Sequence, residues 1–157
     1  MTSAPVTLTL QSPQDTADFA ARLGATLRPA DVLLLQGEIG SGKTHFARSL
    51  IQSLMNPPED VPSPTFTLVQ AYDTQIGEIW HCDLYRLTSV DEVDELGLTE
   101  AFDTALCLVE WPDKLGPLTP ETALTLAFQT DPVETETRHL TLFWSDPKWL
   151  GKLENTL

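Results

Sequence analysis

Gly37-Glu38-Ile39-Gly40-Ser41-Gly42-Lys43-Thr44 fits the pattern G-x-x-x-x-G-K-[ST] and follows the apolar run Val32-Leu33-Leu34-Leu35. The order is buried strand, glycine-rich loop, helix start. Glycines at 37, 40 and 42 open backbone conformations closed to residues with a Cβ, turning successive N–H groups toward one concavity that suits phosphate oxygens. On this reading Gly37, Glu38, Ile39, Gly40, Ser41 and Gly42 form a nucleotide cradle, Lys43 reaches the β- and γ-phosphates, and the Thr44 hydroxyl ligates a bridging magnesium ion. The helix that follows carries Phe46, Leu50, Ile51 and Leu54 on one face and stops at Asn56-Pro57-Pro58, so its N-terminal dipole points at the phosphates. A glycine-rich turn in some other α/β unit would leave Lys43 at a helix start without a partner.

Composition narrows the classes further. The 157 residues suffice for one domain, residues 1–157, with a real core, and are too few for two ordinary ones. Twenty-three acidic against nine basic residues give a formal charge of -14, a surface that repels a phosphate backbone and argues against autonomous binding of tRNA or DNA. The same field makes a metal ion close to obligatory for any nucleotide held at the loop. Cys82 and Cys107 both fall in strand-like runs and read as small buried side chains rather than a disulfide or metal pair. No basic segment precedes an apolar stretch and no apolar run approaches membrane-spanning length, so a cytosolic protein without membrane contact is expected.

Along the chain, Val6 to Leu10 alternates as a half-buried strand, and Ser12-Pro13-Gln14-Asp15 starts a helix that the pattern carries to about Leu27, with Pro29 barring its continuation. Thr16, in the first turn, is a candidate nucleotide contact as well as a candidate solvated hydroxyl, and Arg138 is a further candidate nucleotide contact. Val61-Pro62-Ser63-Pro64-Thr65-Phe66 is a stiff connection whose hydroxyls either sit near a γ-phosphate or merely lead into the next strand. Strands are expected over 67–72 and 79–85, joined by a turn through 73–77; Asp83 lies beside His81 near a strand end, and His81 reads as a hydrogen-bonded structural residue. A short acidic helix capped by Thr88-Ser89 and closed by Gly97 follows, its acids forming a solvated face or a docking surface.

Ala105-Leu106-Cys107-Leu108-Val109-Glu110 is a continuous apolar run ending in an acid, as in a buried parallel strand that delivers a carboxylate to the phosphate end of a sheet. Glu110 is the best candidate for the acidic position of a nucleotide-hydrolysing site, where it polarises water or holds a metal through one. Residues 122–128 and 139–144 read as a strand pair, and 148–157 as a short or frayed helix. The two asparagines, Asn56 and Asn155, are not followed by lysine, so the N-K-x-D element of regulatory GTPases is absent. The arginine-bearing lid of small-molecule kinases is not visible among Arg22, Arg28, Arg48, Arg86 and Arg138, which leaves a small-metabolite kinase as the second-ranked alternative.

Taken in order, Gly37 to Thr44, Ser63-Pro64-Thr65-Phe66, His81-Cys82-Asp83-Leu84-Tyr85-Arg86, Glu95-Leu96-Gly97-Leu98 and Val109-Glu110-Trp111-Pro112 resemble the bacterial TsaE (YjeE) family over nearly the whole chain. The resemblance implies a P-loop three-layer α/β sandwich with central parallel strands and antiparallel flanking strands. It also implies a partner-activated, magnesium-dependent ATPase of the machinery that makes threonylcarbamoyladenosine in the anticodon loop of tRNAs reading ANN codons, with TsaD- and TsaB-type subunits as partners and tRNA met only through them. By the same resemblance Thr44 and Glu110 look like magnesium-site residues, with Asp83 a catalytic carboxylate at that site, Ser63, Pro64, Thr65 and Phe66 a switch-like loop, and Trp111 a site aromatic. Thr99 stands where similar proteins often carry an acid.

Overall fold

The computed structural model describes residues 5–65 and 67–157; Phe66, the last residue of the expected switch-like loop, lies outside the described residues. The strands are β1 (Val6–Leu10), β2 (Val32–Gln36), β3 (Val69–Thr74), β4 (Gly77–Asp83), β5 (Leu106–Glu110), β6 (Leu124–Thr130) and β7 (Arg138–Phe143). The helices are α1 (Pro13–Gly24), α2 (Lys43–Ser53), α3 (Asp91–Glu95), α4 (Leu98–Ala101) and α5 (Lys148–Glu154), with 3-10 turns over Pro112–Leu118.

β2 shows why the sheet sits in the middle. Leu33 and Leu35 pack with Phe19, Leu23, Phe46 and Leu50 of α1 and α2, whereas Val32 and Leu34 pack with Val93, Leu98 and Leu115 on the opposite face. A strand covered on both faces needs apolar residues at every position, which is why 32–35 and 106–109 are continuous rather than alternating. The sheet order is β1-β7-β6-β2-β5-β4-β3. β4, β5, β2 and β6 are mutually parallel, β3 is antiparallel to β4, and β7 and β1 close the other edge antiparallel. The expected three-layer architecture with parallel centre and antiparallel flanks is therefore the observed one. Its carboxyl edge carries Leu35, Glu110 and Asp83 in register on adjacent strands, where open α/β sheets offer a ligand crevice.

Several boundaries differ from the sequence reading. α1 ends at Gly24, not near Leu27, because Thr26 and Leu27 turn their N–H groups back to the Leu23 and Gly24 carbonyls while Leu27 remains buried, so apolar periodicity outlasts the helical hydrogen bonds. Its start is as read: Ser12 Oγ accepts from Asp15 N–H at 3.1 Å, a cap worth about 1 kcal/mol. The β3–β4 pair extends to Thr74 opposite Gly77, leaving only Gln75 and Ile76 in the turn rather than 73–77. Gly77 at φ +116 and the Thr74 hydroxyl, bonded to the Gly77 carbonyl at 2.8 Å, make this tight reversal possible. β3 begins at Val69 rather than Thr67, and β4 stops at Asp83 rather than Tyr85, since Asp83 Oδ1 takes the Tyr85 N–H and turns the chain.

The C-terminal segment is a helix anchored by Trp149 and Leu153 in the core, and Lys148 and Lys152 both reach the buried Asp31 carboxylate, at 2.9 and 3.1 Å. Cys82 and Cys107 are free and buried; burial raises both thiols, Cys107 to about 12, so neither is a reactive thiolate. Among the described residues no helix is long and apolar enough to cross a membrane.

Candidate functional site

The loop after β2 is held by steric necessity. Gly37 adopts φ +147, and a Cβ there would lie 2.5 Å from Ser41 Oγ and 2.7 Å from the Phe128 carbonyl oxygen. Gly42 forms the left-handed N-cap of α2 and supplies no side-chain bond to the first turn. The orphan N–H groups of that turn therefore have no capping side chain, while Ser41 Oγ is buried without a hydrogen-bond partner. An anion at this helix start would answer both features. Above it opens a cleft of ≈ 550 Å³ bounded by the loop, the carboxyl ends of β4 and β5, and the β6–β7 connection, a size suited to a small organic ligand.

Lys43 borders this cleft with its ammonium group turned back onto its own loop. Its Nζ donates to the Gly37 carbonyl and, at 3.2 Å, to the Glu38 carbonyl, and it lies 4.0 Å from the ring centroid of Trp111. Burial lowers its pKa, opposed by the charges of Glu110, Asp83, Glu38 and Asp113. Trp111 takes φ +58 directly after β5, which brings its ring over Lys43 and against Tyr85 at 4.9 Å between centroids.

The carboxyl edge of the sheet carries the acids. Glu110, 2% exposed, accepts from Thr44 Oγ at 2.8 Å through Oε1 and from His81 Nε2 at 2.7 Å through Oε2. Asp83 accepts from Thr65 Oγ at 3.2 Å, and Thr65 is 2.7 Å from Ser63 Oγ, so the proline-rich loop is tied to the end of β4. The chain thus brings Thr44, Asp83 and Glu110 to one side of the cleft. These are hard oxygen donors, and a hydroxyl with one or two carboxylates suits magnesium, which completes its octahedron with water and phosphate oxygens rather than an all-protein cage. Among the described residues no group of three or more His, Cys, Asp or Glu side chains is placed to hold a metal ion.

The two subsidiary candidates also border the cleft. Thr16 is buried rather than solvated, its hydroxyl 3.5 Å from the Ser12 carbonyl. Arg138, from the start of β7, donates to the Ser41 carbonyl at 2.9 Å and the Gly40 carbonyl at 3.2 Å, and so braces the loop. Ile39 is 74% exposed at the mouth. The sequence reading did not name Tyr85, His45 and Glu136 as neighbours of the cleft, and its hydrogen-bonded His81 is found buried with Glu110 as the partner.

Residues 10–140 match the family model "Threonylcarbamoyl adenosine biosynthesis protein TsaE". The tRNA threonylcarbamoyladenosine biosynthesis protein TsaE of Rickettsia bellii is 44% identical over 111 residues, covering 71% of this chain and 77% of that protein. The protein of the same name from Bacillus subtilis is 34% identical over 119 residues, covering 75% of this chain and 73% of its own length. A crystal structure of Bacillus subtilis YdiB superposes with a TM-score of 0.79 at 23% identity, covering 99% of this chain and 95% of that one. The small-metabolite kinase alternative is not favoured by these relatives.

Proposed function

The chain belongs to the TsaE family and acts in tRNA threonylcarbamoyladenosine biosynthesis; from that premise we propose that it is the ATP-binding and hydrolysing subunit of the bacterial machinery for this modification, activated by TsaD- and TsaB-type partners. The observation that carries the reading is the Thr44–Glu110 hydrogen bond, at 2.8 Å, beside an uncapped helix start whose lysine is the neighbouring residue. Residues 1–157 act as one ATPase domain, and the charge of -14 leaves tRNA contact to the partners. The work takes place in the cytoplasm.

In this scheme the α-helix N–H groups and the Gly37 to Gly42 loop take the α- and β-phosphates. Lys43 exchanges the Gly37 and Glu38 carbonyls for the β- and γ-phosphate oxygens, a trade of neutral acceptors for charged ones that strengthens its hydrogen bonds. Thr44 and Glu110 would hold magnesium, which when bound would neutralise charge on the phosphates. Asp83 orients the attacking water and links it to Thr65 and Ser63, so the proline-rich loop registers whether the γ-phosphate is present. Trp111 and Tyr85 wall the phosphate side, and Thr16 and Arg138 border the nucleoside side.

Thr44→Ala is expected to weaken ATP binding mainly in the presence of magnesium, leaving a smaller metal-free component unchanged; affinity titrations with magnesium and with a chelator measure the difference. Equal loss in both conditions would contradict the ligand role. The function itself is tested by reconstituting threonylcarbamoyladenosine formation from purified partners and tRNA. Multiple turnovers should require this chain together with hydrolysable ATP, and undiminished product without it would remove the proposal.

A further inference from the structure

β4 and β5 run parallel with His81 opposite Leu108 and Asp83 opposite Glu110, so His81 stands one pleat behind the acids on the α2 side of the sheet. It is wholly buried, and its two ring nitrogens have different surroundings: Nε2 lies 2.7 Å from Glu110 Oε2, while Nδ1 has no hydrogen-bond partner. A carboxylate oxygen only accepts, so Nε2 carries the proton and Nδ1 is left bare, the tautomer set by the partners. A core that needed only volume at this position would be served better by an apolar side chain, which leaves no buried nitrogen unsatisfied. The uncompensated Nδ1 is offset at Glu110, where the imidazole supplies one of two donors.

Those two donors grip opposite oxygens. Thr44 Oγ holds Oε1 and His81 Nε2 holds Oε2, which together set the plane of a carboxylate that is 2% exposed. Under the magnesium reading of the site, on which this inference rests, the Thr44 hydroxyl is the half of the clamp that a cation recruits, whereas His81 is the half that stays. We infer that His81 is a positioning residue: it fixes Glu110 from behind so that Oε1 remains directed at the metal position when Thr44 is engaged elsewhere. Donors that orient a liganding group from the second layer commonly influence metal affinity or activity by about 10- to 100-fold.

The test uses two amides that differ in reach. His81→Gln carries its N–H₂ near the position of Nε2, whereas His81→Asn ends near Nδ1 and falls short of Glu110. ATP affinity is titrated for the wild-type chain and both variants, with magnesium and with a chelator, and melting temperatures are recorded on the same samples. His81→Asn should lose about 10- to 100-fold of the magnesium-dependent affinity, His81→Gln should stay within a few-fold of wild type, and all three should agree in chelator. Equal behaviour of the two variants, or a loss by His81→Asn that is the same with and without magnesium, would overturn the role. Should His81→Asn not fold, His81→Gln decides alone: a folded variant that has lost its magnesium dependence refutes the inference, and one that keeps it supports it. A wild-type chain without magnesium-dependent affinity overturns the reading of the site and the inference with it, whereas a dependent wild type with an unaffected His81→Asn overturns the inference only.

Discussion

Glu110→Gln is expected to cut partner-stimulated phosphate release by roughly 10²-fold or more, the scale typical for loss of a positioned acid, base or metal ligand, and to lose at least as much of the magnesium-dependent ATP affinity as His81→Asn, while affinity measured in chelator stays within a few-fold. The substitution is isosteric and removes one negative charge from a side chain whose oxygens meet Thr44 and His81. An amide in that place can still pair, its N–H₂ donating to the Thr44 hydroxyl oxygen and its carbonyl accepting from His81 Nε2, so the plane is kept while the charge that would hold a cation is lost. Asp83→Asn should act in the same direction with a smaller effect, because Asp83 meets the cleft through Thr65 rather than through Thr44. If both acids only shaped the core, the two isosteric changes would leave hydrolysis nearly untouched. Loss of nucleotide binding accompanied by a lower melting temperature would instead mark a structural role.

Lys43→Ala is expected to abolish ATP binding nearly completely. The ammonium group is the cation seated inside the loop, in a chain whose net charge is -14, and the nearest acids, Glu110 and Asp83, repel a triphosphate once it is gone. Its retraction onto the Gly37 and Glu38 carbonyls, with Trp111 across it, does not weaken this expectation, since those acceptors are neutral and a phosphate is not. Wild-type affinity in a folded Lys43→Ala variant would sink the phosphate-loop assignment.

What the sequence disclosed, and what it withheld, follows from the range of the interactions concerned. The segment from Val32 to Leu54 was legible because strand burial, glycine placement and helix periodicity all lie within one short stretch and agree with one another. Glu110 was legible for a related reason: an apolar run closed by a single acid has few structural explanations. Arg138 was a candidate nucleotide contact, but its grip on the loop was not legible, since that contact spans 97 residues of sequence and depends on how β7 pairs with β6. His81 was legible as a hydrogen-bonded strand residue, but its partner was not. Only the parallel register of β4 and β5 reveals the acid it faces. The ends of α1 and of the β3–β4 hairpin moved because side-chain periodicity reports burial, whereas element boundaries are set by where backbone hydrogen bonds stop. The retracted Lys43 was beyond any pattern, being a rotamer chosen by local carbonyls.

The central claim, that the carboxyl edge of this sheet hydrolyses ATP under the control of partner subunits, is tested most directly by measuring phosphate release from magnesium-ATP while the TsaD- and TsaB-type complex is titrated into a fixed amount of this chain. The account predicts slow release by the chain alone, a rise that saturates as the complex is occupied, and no rise when Glu110→Gln replaces the wild type. Release that stays flat across the titration, or that rises equally with Glu110→Gln, would contradict it.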